Sequence, residues 1–137
     1  MKKYFILTVF PLVVIISAAW KLPYSSKQKI NEDKDWTACL KKYDSKWGED
    51  CVQCKDSKNS YRVSLRNVCS EKIDVKVAVQ ENDKRWKTFL RTAMAPNDTM
   101  VAYACNGIGK YLCWVNKAGD RSIAFPTDNE INAQYNK

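Results

Sequence analysis

All six cysteines of this 137-residue chain fall after position 38, at Cys39, Cys51, Cys54, Cys69, Cys105 and Cys113, and the chain has no histidine. An even cysteine count in so short a chain describes a disulfide framework, which forms and persists only in an oxidising compartment. The missing histidine removes the commonest general base, the usual zinc ligand and the axial ligand of most haems. What remains is a small stapled domain suited to binding rather than catalysis, with no metal or cofactor expected.

The N-terminus is consistent with export. Lys2 and Lys3 precede an apolar run from Tyr4 to Ile16, and Ser17-Ala18-Ala19 supplies small side chains for a processing enzyme. A basic region, an apolar region and a small-residue site are the three parts of a secretory signal peptide, so residues 1–19 are expected to be a cleaved leader. Pro11 inside the run suits a removable segment better than a permanent spanning helix. The alternative is an uncleaved N-terminal anchor, since Tyr4 to Trp20 is seventeen residues, the short end of the roughly 17–25 that cross a bilayer. The expected location is secreted or periplasmic, or membrane-anchored if the leader stays.

Without the leader the chain carries 21 basic against 15 acidic side chains, a net charge of +6. That length suits one domain. Its positive charge favours anionic partners: anionic polysaccharide, lipid headgroups or an acidic protein surface. Nucleic acid is not expected.

Residues 20–60 read as a flexible lead-in, a short helix and a cysteine-bearing loop. Trp36, Leu40, Tyr43 and Trp47 recur at helical spacing, with Asp33 or Asp35 as N-cap and Gly48 at the end, which predicts an amphipathic helix over 35–47. From Tyr61 the period falls to two. Tyr61, Val63 and Leu65 alternate with Arg62, Ser64 and Arg66, and Ile73, Val75, Val77 and Val79 alternate with Asp74, Lys76 and Ala78. Further strands are predicted over 85–92, 100–105, 111–116 and 121–125, separated by Gly/Asn/Asp/Pro turns that include 106–109. The fold class is therefore mainly β: an antiparallel sandwich or small barrel of five to six strands over 61–126, with the N-terminal helix packed on it. Residues 127–137 read as a frayed polar tail.

Cys105 and Cys113 flank the predicted 106–109 turn and are expected to pair. Three pairings stay open for Cys39, Cys51, Cys54 and Cys69, those tying the helix and loop to the sheet being preferred. Cys51-Val52-Gln53-Cys54 has the spacing of a redox or zinc motif. It lacks a βαβ setting, a second ligand pair and, at Lys55, the histidine of a haem attachment site, so plain staples are expected.

If the alternating apolar residues face inward, Arg62, Arg66, Lys72, Lys76, Arg85, Lys87 and Arg91 collect on the opposite side around Phe89. A basic stripe with an aromatic suits an anionic polymer. Trp36 and Trp47 are expected to pack on the sheet from the helix stripe, and at least one of Trp86 and Trp114 to lie in the core. An exposed tryptophan would instead make a sugar platform. For catalysis without histidine the carboxylate pairs Glu49/Asp50, Glu71/Asp74 and Glu81/Asp83 are the nominees.

Asn67-Val68-Cys69, the alternating strand from Ile73 to Ala78, Trp86, Pro96 and Tyr103-Ala104-Cys105 together resemble a layout of small secreted bacterial β-domains of unassigned function. In these an Asn-x-Cys strand end precedes an alternating strand, a tryptophan strand and a proline turn. The resemblance covers about half the chain after the leader and implies a β fold and export, with no site residues. The functional expectation is an exported, disulfide-stabilised, non-catalytic binding domain. The alternatives are a small carboxylate-dependent hydrolase or inhibitor-like module, and a structural subunit of an envelope assembly.

Overall fold

The computed structural model describes residues 34–48, 54–55 and 58–136; the leader, most of the lead-in, Asp33, Glu49, Asp50 and Cys51 lie outside them. Two three-stranded antiparallel sheets form the body. The first has the order β1 (Leu40–Trp47), β2 (Tyr61–Asn67) and β5 (Thr99–Ala104). The second has β4 (Trp86–Met94), β3 (Ile73–Glu81) and β6 (Gly107–Lys117). Their inner faces meet in one core. Tyr61, Val63, Leu65, Met100, Ala102 and Ala104 come from the first sheet, and Ile73, Val75, Val77, Val79, Met94 and Val115 from the second. The period-two runs thus bury the faces their alternation predicts.

The predicted N-terminal helix is not there. Trp36–Cys39 makes one 3-10 turn, capped by the Asp35 carboxylate accepting from the Thr37 amide, and the chain then extends as β1. The cause is a bulge between Lys42 and Asp44, which leaves Tyr43 unpaired while Leu40, Lys42, Ser45 and Trp47 lie opposite the inward residues of β2. A bulge changes the parity of a strand midway, so its apolar residues no longer recur every second position. Here the resulting 36/40/43/47 spacing mimics a helix.

The crossing from the first sheet to the second is organised by Asn67, fully buried at the end of β2. Its Nδ2 donates to the Glu71 and Met94 carbonyls at 2.8 and 3.1 Å, and its Oδ1 accepts from the Cys69 amide at 3.0 Å. The Cys39–Cys69 disulfide closes the same corner, beside a Val68 N–H donating to the Cys39 carbonyl. This is one of the preferred ties between the N-terminal segment and the sheet.

The expected Cys105–Cys113 bridge is replaced by Cys54–Cys105, and Cys113 is a free thiol. The reason is topological. β5 and β6 lie in different sheets, so no hairpin brings the two sulfurs together. The predicted 106–109 turn falls instead at Cys105-Asn106, because β6 already begins at Gly107, whose amide donates to the Asn59 carbonyl. The two disulfides among the described residues are compatible with an oxidising, extracellular or periplasmic environment.

Two further expectations change at the C-terminus. Residues 121–125 form no strand: Asp120 accepts hydrogen bonds from the Ser122 amide and hydroxyl, and Asn116 donates to the Ile123 carbonyl. Such local side-chain bonds compete with a ladder. The tail after residue 126 is not frayed but forms helix α1 (Asp128–Tyr135), opened by a Thr127/Glu130 capping box. Ile131 is completely buried with Ala78 and Trp86, against Leu112, Trp114 and Tyr135. Burying such a side chain contributes about 1.5–3 kcal/mol. Asn132 completes the docking by accepting from the Trp86 backbone N–H on edge strand β4. Among the described residues no helix is long and apolar enough to cross a membrane.

Candidate functional site

A sandwich has two outer faces pointing in opposite directions, so the predicted basic stripe cannot lie on one surface. Arg62 and Arg66 alternate with the buried residues of β2 and project from the outer face of the first sheet. Across the strands Arg62 sits opposite Lys46 and Tyr103, and Arg66 opposite Lys41 and Thr99. Directly opposed residues share a face. The bulge residue Tyr43 joins them, its ring centroid 3.8 Å from the Arg66 guanidinium carbon.

Lys87, Phe89 and Arg91 belong to the second sheet, and their register with Val79, Val77 and Val75 puts them on its inner side. They still reach the first patch, because β4 and β5 are edge strands that run close together. The Phe89 ring lies 5.1 Å from that of Tyr103, and Lys87 Nζ stands 3.8 Å from the Tyr103 centroid. Arg91 donates to the Thr99 carbonyl and pairs with Asp98 at 2.9 Å. Tyr103 is therefore the hinge of the site, touching β4 from one side and facing Arg62 on the other.

Lys76 and Arg85 are not part of this surface. Lys76 projects from the outer face of the second sheet, where α1 covers it: its Nζ donates to Asp128 at 2.7 Å and to the Pro126 carbonyl, and its side chain is only 12% exposed. Arg85 lies in the β3–β4 turn, with Nε 2.6 Å from Asp83 and a longer contact to Glu81. Lys72 precedes β3 at the sheet-to-sheet crossing. Five of the eight proposed residues, Arg62, Arg66, Lys87, Phe89 and Arg91, are thus brought together, and Lys41, Tyr43, Lys46 and Tyr103 complete the set. The first three were obscured by the bulge that made β1 look helical. Tyr103 was legible only as an alternating strand residue.

Among the described residues the surface holds six cations, Lys41, Lys46, Arg62, Arg66, Lys87 and Arg91, against two carboxylates, Asp44 and the Arg91-paired Asp98. Aromatic rings lie against two of the cations, Tyr43 at Arg66 and Phe89 with Tyr103 at Lys87, which orients them without neutralising their charge.

The nominated carboxylates have structural partners instead. Asp74 accepts from the Ala93 and Gly119 amides. Lys34 holds the exposed Glu71 below the usual carboxylate range, and the Arg85 backbone amide followed by its guanidinium does the same for Asp83. Glu49/Asp50 lies outside the described residues. Among those residues no three Cys, Asp or Glu side chains converge as a metal site would require. Cys113 is a mostly buried thiol, pushed up to about 12 by burial. Comparison with protein-family models, curated proteins and solved structures finds no match in any of the three.

Proposed function

We propose that this chain is an exported, non-catalytic binding domain that holds an anionic polymer of the cell envelope against the outer face of its first sheet. The reading is carried by the continuity of the cationic and aromatic surface across β1, β2 and β5 and onto Lys87, Phe89 and Arg91. Spaced cations meet the charges of an extended polyanion, and the rings between them cover its less polar stretches. The leader-like N-terminus and the two disulfides support an extracytoplasmic location.

The test is equilibrium binding of the wild type and the triple variant Arg62→Glu/Arg66→Glu/Lys87→Glu to dextran sulfate over a range of salt. The expected result is at least a tenfold loss, about 1.4 kcal/mol, with the wild-type affinity falling steeply as salt screens the contacts. Vesicles of anionic lipid, run in parallel, separate a headgroup from a polysaccharide ligand. Undiminished binding by the triple variant removes this assignment. Lys76→Glu is unsuitable as a probe, because it would place a carboxylate against Asp128 and undock α1.

A further inference from the structure

We infer that a second site, at the end of the sandwich where β1 stops and β6 starts, stacks a neutral glycan on Trp47. Trp47 was expected to pack into the body; it is instead 56% exposed. Its position is nevertheless determined. The Tyr61 ring lies 4.8 Å away at 53°, and Gly109 backs the indole so closely that a Cβ there would come within 3.0 Å of Cζ2. Gly109 also has φ +80°, and a Cβ on Gly107 would stand 2.4 Å from that of Tyr61. The Asn106-Gly107-Ile108-Gly109 segment, predicted as a hairpin turn, thus serves a different purpose. Its two glycines let the backbone of β6 approach the aromatic pair.

Around the indole lies a cleft of about 320 Å³, lined by Lys58, Asn59, Asn82, Asn106 and Gly107 as well as Trp47. That is the small end of the roughly 300–1,000 Å³ typical of ligand sites. Its rim is tied by backbone bonds: Asn82 N–H donates to the Asn106 carbonyl at 2.7 Å, Gly107 N–H to the Asn59 carbonyl at 3.0 Å, and Gly48 N–H to the Ser60 carbonyl at 3.0 Å. The carboxamides of Asn59, Asn82 and Asn106 make no side-chain hydrogen bond among the described residues. Each offers a paired donor and acceptor from a short side chain on a braced backbone.

A tied-down but exposed indole ringed by uncommitted amides matches one ligand chemistry. A pyranose with equatorial hydroxyls presents a flat C–H face to the ring and a rim of groups that both donate and accept to the amides. The inference does not rest on the polyanion assignment, because stacking and amide hydrogen bonds need no charge on the ligand.

Calorimetric titration with chitohexaose and cellohexaose, two uncharged oligosaccharides of this geometry, tests it. At least one should bind, with affinity little changed by 0.5 M salt on the order of screening to a few Å. Trp47→Ala should abolish binding, Asn82→Ala/Asn106→Ala should weaken it at least tenfold, and Arg62→Glu/Arg66→Glu/Lys87→Glu should leave it intact. Circular dichroism checks that Trp47→Ala is folded; should it not be, the asparagine pair decides. Failure of both sugars to bind overturns the inference, as does wild-type affinity in the Trp47 or asparagine variants. Loss of sugar binding in the charge-reversed variant overturns the independence of the two sites. Dextran sulfate binding is read separately, so failure of either site is distinguishable from failure of the other.

Discussion

Asn67→Ala probes the corner at which the chain leaves the first sheet for the second. The fully buried carboxamide makes three hydrogen bonds, to the Glu71 carbonyl, the Met94 carbonyl and the Cys69 amide, at 2.8, 3.1 and 3.0 Å. Each is worth about 0.5–1.5 kcal/mol net, and backbone groups left buried without partners raise the loss. At about 1 kcal/mol per bond the variant should lose about 3 kcal/mol, a large share of the roughly 5–15 kcal/mol that holds a domain folded. Urea unfolding followed by tryptophan emission should show a lower midpoint with an unchanged slope. Asn67→Asp keeps the acceptor for Cys69 but turns a carboxylate towards two carbonyl oxygens. Its loss at neutral pH should be at least as large, and should shrink in acid as the carboxyl regains a proton to donate. In a Cys39→Ala/Cys69→Ala background the alanine effect should fall, because both devices hold one corner and contacts that share a structure are not additive. A loss below about 1 kcal/mol for Asn67→Ala, with Asp tolerated equally, would refute the reasoning and leave the corner to backbone and bridge alone.

Two pH effects follow from groups elsewhere. Hydrogen bonds from Lys76 and then Thr88 hold Asp128 below its ordinary 3.8, and the Thr127 amide holds Glu130 below its ordinary 4.5. Their support for α1 is complete above those ordinary values and lost as pH falls through the lowered ones. Acidification should therefore red-shift the emission of Trp86 and Trp114, and an unchanged acid midpoint in Asp128→Asn would count against the ion pair. Cys113, raised from 9.0 to about 12, stabilises the fold fully below pH 9 and loses that effect as pH climbs towards 12. Alkylation at pH 8, read at residue 113 by peptide mass, should accelerate sharply in urea; labelling of the folded protein at the rate of free cysteine would contradict the burial.

The parts of the fold legible in the sequence share one property: their signal is local and regular. The alternation in β2 and β3 maps directly onto the core, because a pleated strand sends successive side chains to opposite sides. The Thr127/Glu130 capping box is an equally local feature, yet the polar composition around it reads as a frayed tail and conceals the single buried anchor, Ile131. β1 was misread because an extra residue changes strand parity, and no residue type announces a bulge. Arg62, Arg66, Lys87, Phe89 and Arg91 were nominated by parity and basicity alone. Their convergence depends on two edge strands of different sheets meeting at Tyr103, a contact that local pattern does not reveal.

Chemical inventory was settled by composition: six thiols able to crosslink, no imidazole, an excess of cations, and β-branched runs with a period of two. These dictate a crosslinked β body with a positive exterior, because side-chain type and alternation act over a few residues. Which strands share a sheet, which sulfurs meet, and which cations stay accessible were decided by packing. Cys105 bonds Cys54 rather than Cys113 because β5 and β6 lie in opposite layers, and Lys76 is off the positive surface because it projects from the other layer, where α1 settles over it. Those outcomes depend on how two layers and one helix bury a common apolar area, a quantity that exists only once distant segments are in contact.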